Sequence, residues 1–310
     1  MTDVAIQPGA LRAAAVKDAT PVGTKAAKAV SGRTGRMIVW IIAALWTVPT
    51  FGLFISSFRP EKEIKTSGWW NVFAHPKFTT ANYSKILDTP ISGQTFSTYF
   101  WNTVKITIPG VIIPIAIAAF AAYAFSWMKF KGRDWIFVGV VALMVVPLQM
   151  CLIPLLKWIS NKSWYSPLQG GIPAVWLAHA IFAMPLTIFL LKNFIGSLPR
   201  EVMEAARVDG AAHMTIFRKI VIPLSVPALA SIAIFQFLWV WNDLLVAKVF
   251  AGDSKNQPLT KVMVDIVGSK GNDWQLLTAG AFVMMFVPLI VFLSLQRFFV
   301  RGLLAGSVKG

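Results

Sequence analysis

The chain holds 310 residues, 56% of them hydrophobic and 14% charged, with a formal net charge of +16. An average soluble domain is about 45–50% apolar and about 25% charged, so a soluble enzyme, a disordered regulator and a disulfide-stapled secreted domain are all excluded. The apolar residues fall in blocks of about twenty, the number that crosses a ~30 Å hydrocarbon core at 1.5 Å per residue, and the fold class is an all-α polytopic membrane protein.

Residues 1–36 are rich in Ala, Lys and Thr and carry no hydrophobic periodicity, which predicts a disordered cytoplasmic tail. The first apolar run starts late, at Met37, and is longer than the 7–15 residues of a signal peptide, so it is a retained span. Six spans are expected: Met37–Phe58, Trp101–Phe125, Trp135–Leu156, Ala174–Leu191, Pro223–Leu245 and Leu276–Val300. Several carry prolines, among them Pro109, Pro114, Pro147, Pro185, Pro227 and Pro288. Each removes a backbone donor, and the carbonyl it frees needs a partner on a neighbouring helix or in a wet cavity. Residues 37–301 form the transmembrane domain, and 302–310 a short cytoplasmic tail.

Basic residues orient the chain. Arg12, Lys17, Lys25, Lys28, Arg33 and Arg36 precede the first span, Lys129, Lys131 and Arg133 follow the second, and Lys192, Arg200, Arg207, Arg218 and Lys219 follow the fourth. Arg297, Arg301 and Lys309 end the chain. This distribution puts both termini in the cytoplasm by the positive-inside rule. The basic residues lie between apolar blocks rather than on a folded basic stripe, so no nucleic-acid partner is expected and the lipid bilayer is. The segments 59–98 and 247–275 then lie outside, where their aromatic and charged residues either dock an external protein or form an interfacial belt. The single cysteine, Cys151, forms no intrachain disulfide.

The loop 197–223 between the fourth and fifth spans reads as a short amphipathic helix. Ser197 can cap it, Pro199 suits its first turn and Glu201 suits its positive end. Glu204-Ala205-Ala206 has high helix propensity, and Gly210 suits the left-handed position past a helix end. A small Ala-faced helix has the shape to enter a groove on a partner, with Glu204 and Arg207 at the rim.

Glu204-Ala205-Ala206, with Gly210, Ile220 and Pro223 at their spacings, resembles the cytoplasmic EAA loop of bacterial ABC importer permeases. Asp209-Gly210-Ala211 with Phe217 resembles the carbohydrate branch, and Ile222 stands where a Leu is usual. Trp241-Asn242-Asp243 and the ending from Gln296 to Gly310 resemble the second six-span permease of maltose-type importers; Thr66-Ser67-Gly68-Trp69-Trp70 resembles α-glucoside permeases. The resemblance implies an inner-membrane permease subunit that imports a di- or oligosaccharide. Its implied partners are a second permease, a pair of ATPase subunits holding ATP and Mg, and an extracytoplasmic sugar-binding protein. The residues that couple to the ATPase would be Glu204, Ala205, Ala206, Arg207, Asp209 and Gly210, with Ile220 and Pro223 setting the return into the membrane. Gly306, Ser307 and Lys309 of the tail would be a second contact.

No phosphate-loop motif, metal-ligand spacing or catalytic grouping stands out, so the chain itself is expected to be no enzyme, without metal, bound cofactor or catalytic residue. His179 in the fourth span is either a packed neutral imidazole or a proton relay. Polar residues inside spans face the bundle or a cavity, which singles out Asn102, Thr103, Gln149 and Thr187. In the fifth span Phe235, Gln236, Trp239, Asn242 and Asp243 combine aromatic faces with hydrogen-bonding groups, the mixture a sugar pathway needs. Asn242 and Asp243 also suit helix-end or inter-permease contacts. Alternative readings are a permease for a glycerol phosphate ester and an ion-coupled secondary transporter, which would show repeats and midplane charge.

Overall fold

The computed structural model describes residues 32–160, 171–267 and 273–307; the tail 1–31 and Lys309 lie outside the described residues. In chain order the helices are α1 (Arg33–Ser57), α2 (Glu61–Thr66), α3 (Ala81–Asp88), α4 (Phe96–Trp127), α5 (Arg133–Ala142) and α6 (Leu148–Ser160). They continue as α7 (Ile172–Ile195), α8 (Arg200–Val208), α9 (His213–Trp241), α10 (Leu245–Phe250), α11 (Leu259–Val267) and α12 (Trp274–Ser307). The described residues contain no strand, only an isolated bridge between Ile91 and Gln94. Helices α1, α4, α7, α9 and α12 are each long and apolar enough to cross a bilayer, and α5 with α6 passes the same test as a pair.

Several expected boundaries are corrected. The third span is broken, its two halves Arg133–Val145 and Leu148–Ser160 meeting at 106°. Pro147 is the cause: it bars the helical region to the residue before it, and Val146 is extended at φ −75°, ψ 119°. The fifth span starts upstream of Pro223, at His213, and a π turn at Phe217–Val221 ends two residues before that proline. It also ends early, because Asn242 leaves the helical region (φ −92°, ψ 2°), which puts Asn242 and Asp243 beyond the span. At the chain ends, α1 begins at Arg33 inside the expected tail, and α12 runs on to Ser307.

The chain divides into two compact units, one of residues 1–56 with 67–76, the other of 57–66 with 77–310. In the first, Trp69 meets Phe51 of α1 edge-on, with ring centroids 5.9 Å apart. In the second, α4 is the central helix of the packing. Its buried face carries Gly110, Pro114, Ala118 and Ala122 at a strict spacing of four. Lipid tails give no hydrophobic drive between helices, so close approach of small residues does the packing. A Cβ on Gly110 would lie 3.2 Å from Val240 Cγ1, so the glycine sets how near α9 comes. Large apolar side chains such as Ile112, Trp135 and Val145 remain exposed, as surfaces that meet hydrocarbon should.

Polar anchors hold the connecting segments. Asn82 Nδ2 donates to the carbonyls of Ser57 and Arg59, both at 2.9 Å. Asn102 Nδ2 donates to the carbonyls of Lys255 and Gln257, and Thr103 Oγ1 accepts the Leu259 N–H at 2.8 Å. Asn102 and Thr103 are thereby committed to fixing the 255–259 segment against α4, and Gln149 is exposed on α6. On α2, a hydrogen bond from Lys65 holds the Glu61 carboxyl below its ordinary pKa, and Lys77 does the same for Glu63.

Candidate functional site

Helix α8 is short, charged and strongly one-sided. Met203 and Ala206 are buried against the rest of the chain, while Glu201, Val202, Glu204, Ala205 and Val208 face outward. The expected coupling set is therefore split. Glu204, Ala205, Asp209 and Gly210 share the exposed part of the loop, but Ala206 belongs to the core and Ile220 is half-buried. The exposed surface gains Val202 and Val208, 41% and 87% exposed, which composition alone gave no reason to single out. Gly210 has φ +74°, the left-handed conformation expected of it after a helix end. Ser197 does not cap α8; its hydroxyl donates to the Phe194 carbonyl of α7, and Pro199 stands at the start instead. Gly306 and Ser307 lie in the last turns of α12.

Three contacts bind this loop to the spans. Arg207 Nη2 donates to the Trp127 carbonyl at 2.7 Å, occupying an acceptor that the end of α4 leaves open. Trp127 Nε1 donates in turn to the Ile195 carbonyl at 3.0 Å, at the end of α7. Tyr123 Oη lies 2.9 Å from His213 Nδ1, and Phe120 stacks on Phe217 at 4.5 Å. Arg207 is thus turned toward its own chain. The loop is fastened to α4, and through it to α7.

A cavity of about 1070 Å³ opens at the break in the third span. Its walls come from the turn 143–148, α6, the middle of α7, and Gln236 and Trp239 of α9. The lining is mostly apolar, with Thr187, Gln236 and Trp239 as its polar groups. Of the five residues proposed for a sugar pathway, the cavity gathers Gln236 and Trp239. Phe235 is 56% exposed and does not line it. Asn242 and Asp243 do not line it either. The Asp243 carboxylate accepts the N–H groups of Val246 and Ala247 at 3.2 and 2.9 Å, capping α10, which is the helix-end role.

His179 is fully buried in α7, its Nε2 3.5 Å from Asp243 Oδ2 and its ring edge-on to Trp239. It packs α7 against the α9–α10 corner. Neither ring nitrogen makes a hydrogen bond to the described residues. The described residues also hold no group of three His, Cys, Asp or Glu able to bind a metal ion.

Residues 110–304 match the family described as the inner membrane component of binding-protein-dependent transport systems. The chain is 53% identical over 273 residues to the osmoprotective compounds uptake permease protein GgtD of Synechocystis, covering 86% of this chain and 89% of that one. It is also 53% identical over 269 residues to the alpha-glucoside transport system permease protein AglG of Rhizobium meliloti, covering 85% and 70%. Among solved structures, a chain of a bacterial ABC transporter that imports the acidic polysaccharide alginate superposes with a TM-score of 0.64 at 22% identity, over 86% of this chain and 97% of that one. The last comparison bears on the fold, the others on descent. With five apolar helices long enough to cross a bilayer, a bent pair that passes the same test, and a match through most of its length, the chain belongs to the family of inner-membrane permease components of binding-protein-dependent ABC transport systems.

Proposed function

We propose that this permease imports an α-glucoside, a di- or oligosaccharide, and that it works beside a second permease and two copies of an ATPase. The observation that carries the coupling half is α8: Glu204, Ala205 and Val208 are presented outward, while Met203, Ala206 and Arg207 tie the helix to the spans. A surface displayed on a braced lever is what a motor subunit needs to grip. ATP and Mg belong to that ATPase, and both termini and α8 face the cytoplasm, in keeping with the Lys and Arg that flank them. Gly306, Ser307 and Lys309 would make a second contact there.

The solute half rests on kinship and on the cavity. One 53% identical relative is named for alpha-glucoside transport. The cavity wall offers an aromatic face at Trp239 with few hydrogen-bonding groups, so this chain supplies apolar surface and the partner permease supplies most of the hydroxyl recognition. Phe235, Asn242 and Asp243 would act at its margins. Family membership removes the ion-coupled secondary transporter, and a glycerol phosphate ester remains the competing solute.

The test is uptake into vesicles holding the assembled transporter, its binding protein outside and ATP within. Radiolabelled trehalose, sucrose and maltose should accumulate only with ATP. Accumulation of glycerol 3-phosphate in their place would overturn the sugar assignment, and sugar uptake driven by an ion gradient without ATP would overturn the coupling.

A further inference from the structure

A proline within a helix leaves the carbonyl four residues earlier without its N–H donor. Three such carbonyls within the spans are taken by side chains from other spans. Pro109 frees the Lys105 carbonyl, and Trp176 Nε1 of α7 donates to it at 2.8 Å. Pro114 frees the Gly110 carbonyl, and Gln236 Nε2 of α9 donates to it at 3.1 Å. Pro288 frees the Met284 carbonyl, and Trp241 Nε1 of α9 donates to it at 3.2 Å. The register coincides each time, in two different helices and from two different donors' helices.

We propose that Trp176, Gln236 and Trp241 are pins for these prolines: each occupies the one acceptor that the proline has stripped. An unpaired carbonyl has no water to turn to in hydrocarbon, so the donor and the proline form a unit. The fit of the surroundings agrees. Gly110 has no side chain to keep α9 away, with Val240 3.2 Å from where its Cβ would be, and Trp241 is fully buried, stacked on Phe237 at 5.5 Å. Gln236 also lines the cavity, so its amide nitrogen is spent on α4 and the solute meets what is left of that group. The pins run from α7 to α4, from α9 to α4 and from α9 to α12, which ties four spans at their prolines.

The proposal predicts that removing the proline makes the pin dispensable, because an alanine restores the helical N–H. The full chain is extracted in mild detergent and its thermal midpoint measured for Gln236→Leu, Pro114→Ala and the pair together. Gln236→Leu should lower the midpoint by several degrees, and adding Pro114→Ala should recover most of that loss. Simple addition of the two single effects, or no loss with Gln236→Leu, would overturn the proposal. Should Gln236→Leu fail to reach the membrane, Trp176→Phe with Pro109→Ala and Trp241→Phe with Pro288→Ala run the same cycle with the ring retained, and additivity in both would overturn it equally. The midpoint does not depend on ATP or on any solute, so failure here leaves the importer reading standing, and failure of that reading leaves the pins standing.

Discussion

At the scale of single residues, Glu204 and Gly210 separate surface chemistry from backbone chemistry. Glu204 is exposed on α8, where a substitution shifts stability by about 0.5 kcal/mol or less. Glu204→Lys should therefore leave the chain inserted at normal levels while uptake drops to background, checked by membrane immunoblot beside vesicle uptake. Gly210 is a different case. A Cβ there would touch nothing within 4 Å, so its requirement is conformational alone, at φ +74°. Gly210→Val should cost about 1 kcal/mol or more through the left-handed backbone, and Gly210→Asn should cost less, because Asn tolerates that region. Thermal midpoints of the three chains give the order. Met203 tests the other face: it is 1% exposed beneath α8, and Met203→Ala should cost about 2–5 kcal/mol and loosen the helix with Glu204 intact. Uptake lost together with thermal stability would distinguish it from Glu204→Lys, which spares stability.

At the scale of elements, hydropathy made the spans legible, because an apolar block of about twenty residues has one use in a chain with so few charges. It could not locate the break in the third span. Pro147 was visible, but so were Pro109 and Pro114, which leave α4 continuous through 32 residues. What separates them is the backbone before the proline: Val146 is extended at φ −75°, ψ 119°, whereas α4 stays helical through Pro109 and Pro114, where Trp176 and Gln236, distant in sequence, serve the freed carbonyls. The same limit explains the coupling loop. Its helix and the left-handed glycine followed from local preference. Which face of α8 turns inward did not, because Ala205 and Ala206 are adjacent and chemically alike, and only the packing of Met203 and Ala206 decides between them. Asn242 and Asp243 read as polar residues inside a span because hydropathy averages across a helix end, and the end is set by the capping of α10. A signal was available for the central ridge: Gly110, Pro114, Ala118 and Ala122 recur at the spacing of one helical face, and small residues so placed mark close helix packing.

At the scale of the whole molecule, the proposed coupling turns on which side of the bilayer α8 faces and on what α8 is fastened to. The contacts Arg207 to Trp127, and Trp127 to Ile195, make the ends of α4 and α7 one fixture with α8. Trp127→Phe keeps the ring and removes the donor, so in the assembled transporter it should lower solute moved per ATP hydrolysed more than it lowers ATP hydrolysis itself; an unchanged ratio would show that the force travels elsewhere. Sidedness can be read directly. Val208 is 87% exposed at the tip of α8, and Cys151 is the single native thiol. In a Cys151→Ser background, Val208→Cys should react with a membrane-impermeant maleimide in inside-out vesicles and stay unlabelled in intact spheroplasts. Labelling in spheroplasts would put the lever on the outer face, where no ATPase could grip it, and the basic residues at Arg200, Arg207, Arg218 and Lys219 would then stand against the charge asymmetry that orients membrane proteins.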